Sequence, residues 1–413
     1  MHRVRLSLPY FRKFGWRPLV LAVAPGFVEG VNEALLLETI PEDVEVRRVS
    51  ALSAKWTRKF GLGNLALRSL PFLYFEGNRI LRSTKIDLVY FTTTAFPAPV
   101  LGRLWKRRFG TPFVIDFQDP WVTDYYAEHP EAAKPSKFWF ADRLHRATEP
   151  WTMESVDGLI AVSADYIKTL RIRYPWLAEK PAITLPFAAT EEDMRLARSR
   201  VFINQFFDSS DGNIHGVYVG RGGPDMKPAL QVIFEAFRLG LEMEPQTFEK
   251  IHLHFIGTDY APVHLGQKTV EPVARDFGIS RRVHEHTARV PYFEALQLLL
   301  SASFLVVPGS DDPQYTASKI YPYILARKPL LAVFHPSSSV CDVLRGTGAG
   351  VPFAFSASPK DLLKHWSTLL RSSAALPEMN WAAFARYSAE NMTARQCELF
   401  NDVVSPKTCV AAV

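Results

Sequence analysis

The stretch that decides the fold is ASFLVVPGSDDPQYTASKIYPYILARKPLLAVF, residues 302–334. It predicts a buried strand at Phe304–Val307, a polar loop, a short helix that begins near Ser318 and Lys319, and an apolar strand at Leu330–Phe334. This order of elements brings ligand atoms to a helix N-terminus, where unpaired N–H groups favour an anion. Lys319 would oppose the helix dipole there, which suits anion binding better than helix stability. The simpler alternative is an ordinary strand–helix connection with a solvated lysine.

The same alternation of elements extends over most of the chain. Strands are predicted at Leu19–Val23, Asp87–Thr92, Phe113–Asp116, Gly158–Val162, Ile214–Val219, Ile251–Gly257, Val283–Thr287, Phe304–Val307 and Leu330–Phe334. Helices are predicted at 135–155, 164–173, 226–242, 291–301 and 360–371. Strands separated by helices are typical of parallel sheets that are covered on both faces. The sequence therefore predicts an α/β protein with two doubly wound domains facing a cleft.

The domain boundaries follow from shifts in composition. The 413 residues suit two domains, and 47% hydrophobic residues with 22% charged residues can fill two large cores. We expect an N-terminal domain over residues 1–185 and a charged linker over 186–212. A C-terminal domain would span 213–378, followed by a C-terminal helix and tail over 379–413.

The N-terminus departs from a doubly wound plan. Met1 runs into RVRLSLPYFRKFG, an amphipathic helical pattern that ends at Gly15, and the predicted strand Leu19–Val23 comes next. A nucleotide-binding α/β domain should begin with a strand, a loop and then a helix. We therefore expect the first strand of the N-terminal domain to be missing, either because the sequence starts inside a longer reading frame or because the strand has been lost.

The positive charge of the chain lies in its first half. Residues 1–185 contain 26 Lys and Arg against 19 Asp and Glu, whereas the remainder has a net charge of −1. The segment 55–85 mixes cations with large apolar side chains, and Trp105 is followed by three cations. Such a pattern suits adsorption to an anionic membrane surface. The alternative is an amphipathic helix that packs on its own domain with a solvated basic rim.

Other compositional features argue against several classes of protein. No apolar run reaches the roughly 20 residues that a transmembrane helix needs. The N-terminus lacks the apolar core of a signal peptide. The three cysteines, Cys341, Cys397 and Cys409, form no CxxC pair. We therefore expect a cytoplasmic protein without a disulfide framework, a metal site or a nucleic-acid partner.

Five ordered segments carry a family resemblance. They are VIDFQDPW (114–121), GLIAVSADYI (158–167), VYVGRGGPDMK (217–227), RVPYFEAL (289–296) and SKIYPYILARKPLL (318–331). Together they resemble bacterial GT-B glycosyltransferases of the large retaining family four type, in the branch with a D-F-R-D-P-W motif. The resemblance implies two Rossmann-like domains, a nucleotide-diphosphate sugar as donor, and no cofactor or bound metal.

The candidate diphosphate site lies in the second domain. Gly220, Arg221, Gly222 and Gly223 follow a predicted strand; glycines admit phosphate close to backbone N–H groups, and Arg can bind it bidentately. Lys227 lies six residues beyond Arg221, near the spacing at which the family holds the donor diphosphate with two cations. By the same resemblance, Ser318 and Lys319 join this site. A tight glycine turn without a ligand is the alternative.

Asp116 and Asp119 are the candidate catalytic residues. They flank the turn after a predicted strand, and the carboxyl ends of strands hold ligands in α/β sheets. Similar enzymes have a histidine in this loop, and Gln118 or Asp119 occupies its position here. Asp119 could deprotonate an acceptor hydroxyl. Either aspartate could instead only form the turn, and Asp116 is the better candidate for a structural role.

The nucleobase and ribose contacts are harder to assign. Arg289, Val290 and Tyr292 match a loop that meets the nucleobase in the family, although Tyr292 could equally be a packing residue. The family carries two glutamates eight residues apart in the donor segment, and Gln314 and Pro322 stand at those positions here. Proline cannot bind a ribose diol, so the ribose contact must be rearranged or lost.

The resemblance implies a hexosyltransferase that acts with retention in cell-envelope polysaccharide biosynthesis. Its acceptor would be a glycan or a lipid-linked intermediate, bound by the basic first domain at the inner face of the plasma membrane. Two alternatives stay open. One is a sugar-nucleotide epimerase with the same fold, since fold alone does not decide function. The other is a non-catalytic interaction protein descended from transferases.

Overall fold

The computed structural model describes residues 2–28, 33–57, 59, 63–123, 138–260, 265–312, 318–371 and 379–405. The strands are β1 (Leu19–Val23), β2 (Glu45–Val49), β3 (Val89–Thr92), β4 (Phe113–Phe117), β5 (Gly158–Ala161), β6 (Ala182–Thr184), β7 (Ile214–Val219), β8 (Ile251–Ile256), β9 (Val283–His286), β10 (Phe304–Pro308), β11 (Leu330–Val333) and β12 (Pro352–Phe353).

The helices alternate with these strands. They are α1 (His2–Ser7), α2 (Ala34–Glu38), α3 (Ala54–Thr57), α4 (Leu65–Ser83), α5 (Val100–Phe109), α6 (Phe138–Met153), α7 (Ala164–Arg173), α8 (Glu191–Ser199), α9 (Lys227–Met243), α10 (Pro245–Phe248), α11 (Glu271–Asp276), α12 (Tyr292–Ser301), α13 (Ile320–Leu325), α14 (Ser339–Thr347), α15 (Pro359–Arg371), α16 (Trp381–Ala385) and α17 (Ala389–Val404).

The chain forms two compact units. Unit 1 contains Met1–Phe187 and Ala389–Val413, and unit 2 contains Ala188–Ser388. This division differs from the predicted boundaries, because the predicted linker contains α8, which lies in unit 2, and α17 returns to unit 1. In unit 1 the Phe400 ring of α17 packs against Phe11 and Trp16, with ring centroids 6.2 and 5.4 Å away. Burial of these aromatic rings holds the C-terminal helix on the first unit.

Unit 2 is built around one parallel sheet with the strand order β12-β11-β10-β7-β8-β9. The order reverses between β7 and β10, the first and fourth strands of the unit. Such a reversal is the topological switch point at which doubly wound sheets bind their ligands, beyond the carboxyl ends of the strands. The loops after β7 and β10 meet at this point.

Unit 1 carries two parallel sheets, with the orders β1-β2 and β3-β4-β5-β6. Within the described part of the chain, β1 is the first strand, and β1 and β3 each pair with a strand on one side only. β4 is buried along its whole length, whereas every residue of β1 and β3 is partly exposed. β2 and β6 likewise pair on one side, so each of the two sheets has two open edges.

Several elements escaped the sequence analysis, and for β2 and α8 the reason can be identified. β2 carries Glu45, Arg47 and Arg48, so it lacks the apolar pattern of a buried strand; such charges are typical of an edge strand. α8 was predicted as linker. It nevertheless has a clear start signal, because the Thr190 side chain accepts a hydrogen bond from the N–H of Glu192, and three acidic residues follow in the first turn.

Five histidines of unit 2 form a ladder across β7, β8 and β9. They are His215, His252, His254, His284 and His286. His215 Nδ1 lies 3.1 Å from His254 Nε2, and His252 Nδ1 lies 3.0 Å from His284 Nε2. The Phe207 ring covers His215 and His254. The contacts between these rings place the histidines on one face of the sheet.

Four histidines of the ladder have lowered pKa values. Burial, and then charge repulsion from His284 and His215, lowers the pKa of His254 to about 3. Burial also lowers the pKa values of His252, His284 and His286. The charged residues that act on the ladder are Asp211, Lys268, Glu271 and Arg282.

Candidate functional site

The switch point of unit 2 is formed by two loops. The loop after β7 contains the glycines 220, 222 and 223 around Arg221, and the start of α13 supplies Lys319 as the residue that precedes the helix. A Cβ atom at Gly220 would lie 2.5 Å from Lys319 Nζ, and one at Gly223 would lie 2.9 Å from Arg221 Nη1. A Cβ atom at either position would displace the end of a cationic side chain, so the glycines let both cations lie close to the backbone of this loop.

Arg221 is oriented by an acidic partner. Its Nη1 and Nη2 atoms donate to Oδ1 and Oδ2 of Asp225 at 3.0 and 2.6 Å, a bidentate pair. Burial raises the pKa of Asp225, but hydrogen bonds from Arg221 and Ser310 outweigh it and hold the pKa below its ordinary value. Asp225 is therefore ionised at neutral pH and fixes the guanidinium.

Lys319 lies in a more strongly perturbed environment. Its Nζ atom donates a hydrogen bond to the Tyr218 hydroxyl and lies 4.6 Å from the centre of the Tyr218 ring. Burial lowers the pKa of Lys319 to about 7, and the positive charges of Arg221 and Arg289 contribute. An amine in this state gains its charge fully only when an anion joins the site.

The start of α13 is anchored to β7 by a tyrosine. The N–H of Val219 donates to Tyr323 Oη at 2.6 Å, and Tyr323 Oη donates back to the Val219 carbonyl at 3.0 Å. Pro322 is the third residue of α13, where its missing N–H costs no helical hydrogen bond. Ser318 is half-buried beside this turn.

Lys227 does not reach the Arg221–Asp225 pair. It is the first residue of α9, it is exposed, and it makes no ion pair with another residue of the described ranges. The structure thus brings Arg221 and Lys319 together and leaves Lys227 at the rim, so the predicted joint role of Arg221 and Lys227 stays a prediction.

The loop between β9 and α12 contributes an aromatic contact. The Arg289 guanidinium stacks over the Tyr260 ring at 4.4 Å, and both residues are exposed. Val290 is half-buried beside it. Tyr292 instead donates from its hydroxyl to Asp193 Oδ2 at 2.9 Å, which favours the packing role. Gln314 lies outside the described residues.

Asp116 requires a correction to the predicted catalytic pair. Its side chain is inaccessible to solvent, and Arg3 Nε donates to its Oδ2 at 3.0 Å. Tyr90, Thr92 and Gln118 donate to the same oxygen at 3.0–3.2 Å. A carboxylate enclosed in this way cannot meet a substrate, so Asp116 has a structural role.

Asp119 lies two residues beyond β4 and is exposed. Partial burial of the carboxyl raises its pKa. Trp121, at the end of the same motif, is buried, and its ring stacks on Phe96 with centroids 4.9 Å apart. The motif therefore combines a core anchor with one accessible carboxylate.

The basic segment 55–85 divides into a buried part and an exposed part. Arg68 of α4 is buried, and its guanidinium donates to the carbonyl groups of Leu52, Gly63 and Phe27. Phe75, by contrast, is 71% exposed. No helix within the described ranges is long and apolar enough to cross a membrane. Nor do the described His, Cys, Asp and Glu side chains include three that are arranged around a possible metal ion.

Sequence reasoning missed three residues that shape this site. Asp225 lies four residues after Arg221, the spacing of a helical ion pair, and this signal could have identified it. Tyr218 and Tyr323 give no comparable signal in the sequence. Tyr218 lies within the apolar pattern of β7, and Tyr323 lies within that of α13. Their hydroxyl contacts depend on which elements become neighbours.

The comparisons with known proteins agree with this architecture. Residues 9–178 match the family model of the glycosyl transferase 4-like domain. A search of curated protein sequences found no match.

Solved structures match over nearly the whole chain. A glycosyltransferase from Rickettsia africae has a TM-score of 0.57 at 9% identity, over 98% of this chain and 95% of its own. Anabaena HepE, solved with UDP and glucose, has a TM-score of 0.55 at 15% identity, over 97% of this chain and 94% of its own. A trehalose-phosphate synthase from Burkholderia xenovorans has a TM-score of 0.54 at 10% identity, over 93% of this chain and all of its own. The chain therefore has the GT-B fold with two Rossmann-like domains, and its residues 9–178 match a glycosyl transferase 4-like domain.

Proposed function

We propose that this protein is a glycosyltransferase that transfers a sugar from a nucleoside-diphosphate donor to an acceptor. The observation that carries the proposal is the juxtaposition of Arg221 and Lys319 at the switch point of unit 2, beside glycines that admit both side chains. Two cations in a glycine-rich loop are suited to a diphosphate. The family match of residues 9–178 supports the same activity.

The chemistry needs charge stabilisation at the leaving group. The bond between the anomeric carbon and the diphosphate oxygen breaks, and the acceptor oxygen forms a new bond to that carbon. Negative charge then develops on the departing oxygen, where Arg221 and a protonated Lys319 stabilise it. Because Asp225 fixes the guanidinium beforehand, little reorganisation is needed during the reaction.

The donor we propose to test first is a UDP-hexose. The Anabaena protein HepE was solved with UDP and glucose, and it shares this fold. By resemblance to family four enzymes we propose retention of the anomeric configuration. The Arg289–Tyr260 stack is the proposed contact for the nucleobase side, because a guanidinium–aromatic pair offers a flat exposed surface.

We propose that unit 1 binds the acceptor, a glycan or a lipid-linked intermediate of cell-envelope polysaccharide synthesis. Asp119, the accessible carboxylate beyond β4, would accept a proton or hydrogen bond from the acceptor hydroxyl. The net positive charge of residues 1–185 supports work at the inner face of an anionic membrane.

Calorimetric titration with UDP, GDP and ADP tests the proposal directly. We expect one nucleoside diphosphate to bind with micromolar affinity, and its monophosphate to bind at least tenfold more weakly, because the second phosphate meets Arg221 and Lys319. Failure of every diphosphate to bind would contradict the proposal and favour a non-catalytic interaction protein. NMR of the sugar donor without acceptor separates an epimerase, which would convert it, from a transferase.

A further inference from the structure

A second charged site lies in unit 1, between α4 and α5. A cavity of about 420 Å³ is lined there by Tyr74, Phe75, Asn78, Arg79, Arg82, Ser83 and Arg108. None of these residues belongs to the GT-B motifs described above. We call it the α4–α5 pocket.

The α4–α5 pocket is strongly cationic. Arg79 and Arg82 come from the last turns of α4, and Arg108 comes from the last turn of α5. No described lining residue is a carboxylate. Glu76, an acid of the same helix, lies 3.6 Å from Arg79 and is shared with Arg47 at 3.2 Å. The pocket therefore keeps an excess of positive charge and suits a phosphate, which guanidinium groups bind bidentately.

The wall of the pocket offers a specific polar contact. Hydrogen bonds from Asn78 and then Arg108 lower the pKa of the Tyr74 phenol, and Arg108 Nη1 lies 3.3 Å from that oxygen. Asn78 is 5% exposed, and its Oδ1 atom is buried without a hydrogen-bond partner within the described residues. An unpaired acceptor of this kind is costly unless a ligand brings a donor. The ligand should thus carry a hydroxyl group beside its phosphate.

The surroundings of the pocket indicate that the phosphate belongs to a lipid. Phe75, Arg79 and Arg82 have the spacing i, i+4 and i+7, so they lie on one face of α4. All three are exposed, and Phe75 is 71% exposed. An exposed aromatic ring beside arginines is the arrangement that inserts into a membrane interface while cations meet the headgroups.

We propose that the α4–α5 pocket binds the phosphate of a hydroxyl-bearing anionic lipid headgroup, with Phe75 inserted into the lipid beside it. This inference deepens the membrane part of the proposed function and is independent of donor binding in unit 2. It names the residues through which unit 1 would recognise an anionic surface.

Vesicle flotation at 0.1 M salt tests the pocket, with phosphatidylcholine vesicles that contain 30% phosphatidylglycerol. The double variant Arg79→Gln/Arg82→Gln should bind about 30-fold more weakly, since each cation near the surface contributes about a fivefold change in affinity. The charge-matched control Arg143→Gln/Lys168→Gln removes two exposed cations of α6 and α7. An equal loss of vesicle binding in both double variants would contradict a specific site at the α4–α5 pocket. It would indicate only nonspecific electrostatic attraction to the membrane.

Two further comparisons test the lipid and its hydroxyl. Phe75→Ala should weaken vesicle binding and Phe75→Trp should retain it. Phosphatidylglycerol should bind several-fold better than phosphatidylmethanol, which has the same charge and no headgroup hydroxyl. If glycerol phosphate binds the free protein as tightly as phosphatidylglycerol vesicles do, the site takes a soluble anion, and the lipid assignment is wrong. UDP titration of the same variants should be unchanged, which separates this result from any failure of the donor site.

Discussion

Arg3 Nε donates a hydrogen bond to Asp116 Oδ2 at 3.0 Å, and neither side chain is accessible to solvent. The same guanidinium donates to the carbonyl groups of Leu185 and Pro186 at 2.7 and 3.0 Å. Arg3 of α1 thus connects β4 to residues 185 and 186, which follow β6 in unit 1. These hydrogen bonds offset the desolvation free energy of the buried guanidinium.

Arg3→Met should destabilise unit 1 by about 3–5 kcal/mol, because it leaves Asp116 buried without its counter-charge. Urea unfolding measures the effect. Arg12→Met is the control, since Arg12 pairs with Asp43 on the surface and should cost less than about 1 kcal/mol. Addition of Asp116→Asn to Arg3→Met should recover part of the loss. No recovery would show that packing, rather than the charge, dominates.

Arg221→Ala should lower kcat/KM with the true donor by an amount that corresponds to about 2.7–4 kcal/mol of lost transition-state stabilisation. The variant lacks the preorganised hydrogen-bond donor to the negative charge that develops on the leaving diphosphate. Arg221→Lys should rescue poorly, since the bidentate fork is absent. Arg238→Ala is the matched control: Arg238 forms a similar i, i+4 pair with Glu242 on the exposed side of α9. If Arg221→Ala leaves nucleoside-diphosphate affinity unchanged, the site lies elsewhere.

A second cation should act with Arg221, and the chain offers two candidates. A double variant with Lys319→Met should be less than additive, because both residues share one ligand. The same cycle with Lys227→Ala tests the sequence-based prediction for that residue. Full additivity in either cycle would mean that its two residues bind separately.

Diphosphate binding should take up a proton at Lys319. The free protein holds the pKa of Lys319 near 7, and a bound diphosphate raises it, so affinity should fall as pH rises from 7 to 9. Calorimetry in HEPES and Tris, whose ionisation enthalpies differ, measures the uptake. Lys319→Arg stays charged and should abolish it. Equal heats for the native protein in both buffers would contradict this coupling.

The ligand-free protein should show the opposite linkage in its stability. Lys319 has a lower pKa in the folded state than in the unfolded chain, so the unfolded chain binds the extra proton between pH 7 and 10.5. Stability from this residue therefore rises with pH over that window. Lys319→Met should flatten the rise in urea unfolding measured at pH 7, 8 and 9.

Asp119→Asn should reduce turnover by roughly 10²–10⁴-fold with nearly unchanged donor affinity, if its carboxylate receives the acceptor proton. Asp87→Asn removes an exposed aspartate from the same unit and serves as control. Native-like turnover in Asp119→Asn would leave this residue with a turn-forming role only.

The histidine ladder should make unit 2 sensitive to acid. His254 has a pKa near 3 in the folded state, so the unfolded chain binds the extra proton below about pH 6.5 and stability falls as pH falls. The slope should reach about 1.4 kcal/mol per pH unit for this residue. Urea unfolding at pH 7.5, 6 and 5 measures this pH dependence of the free energy of unfolding. His254→Leu should remove the contribution of His254, whereas His335→Gln, outside the ladder, should not change it. An identical slope in His254→Leu would contradict the prediction.

Much of the fold was accessible from the sequence because hydrophobic patterns report burial directly. The predicted strands of unit 2 lie within a residue or two of β7 to β11, since parallel strands buried on both faces are continuous apolar runs. The polar strand β2 and the capped helix α8 were missed, because their formation depends on an edge position and on a cap rather than on an apolar pattern.

The sequence by itself determined the alternation of elements and the glycine-rich loop around Arg221. Only the tertiary structure decided that Asp116 is enclosed by Arg3 and that Lys319 contacts Tyr218. The two residues of each pair come from different secondary-structure elements, which only the fold makes neighbours. Local propensity and hydrophobic pattern are set along the chain, whereas the state of a charged side chain is set by whatever the fold brings within a few ångströms of it.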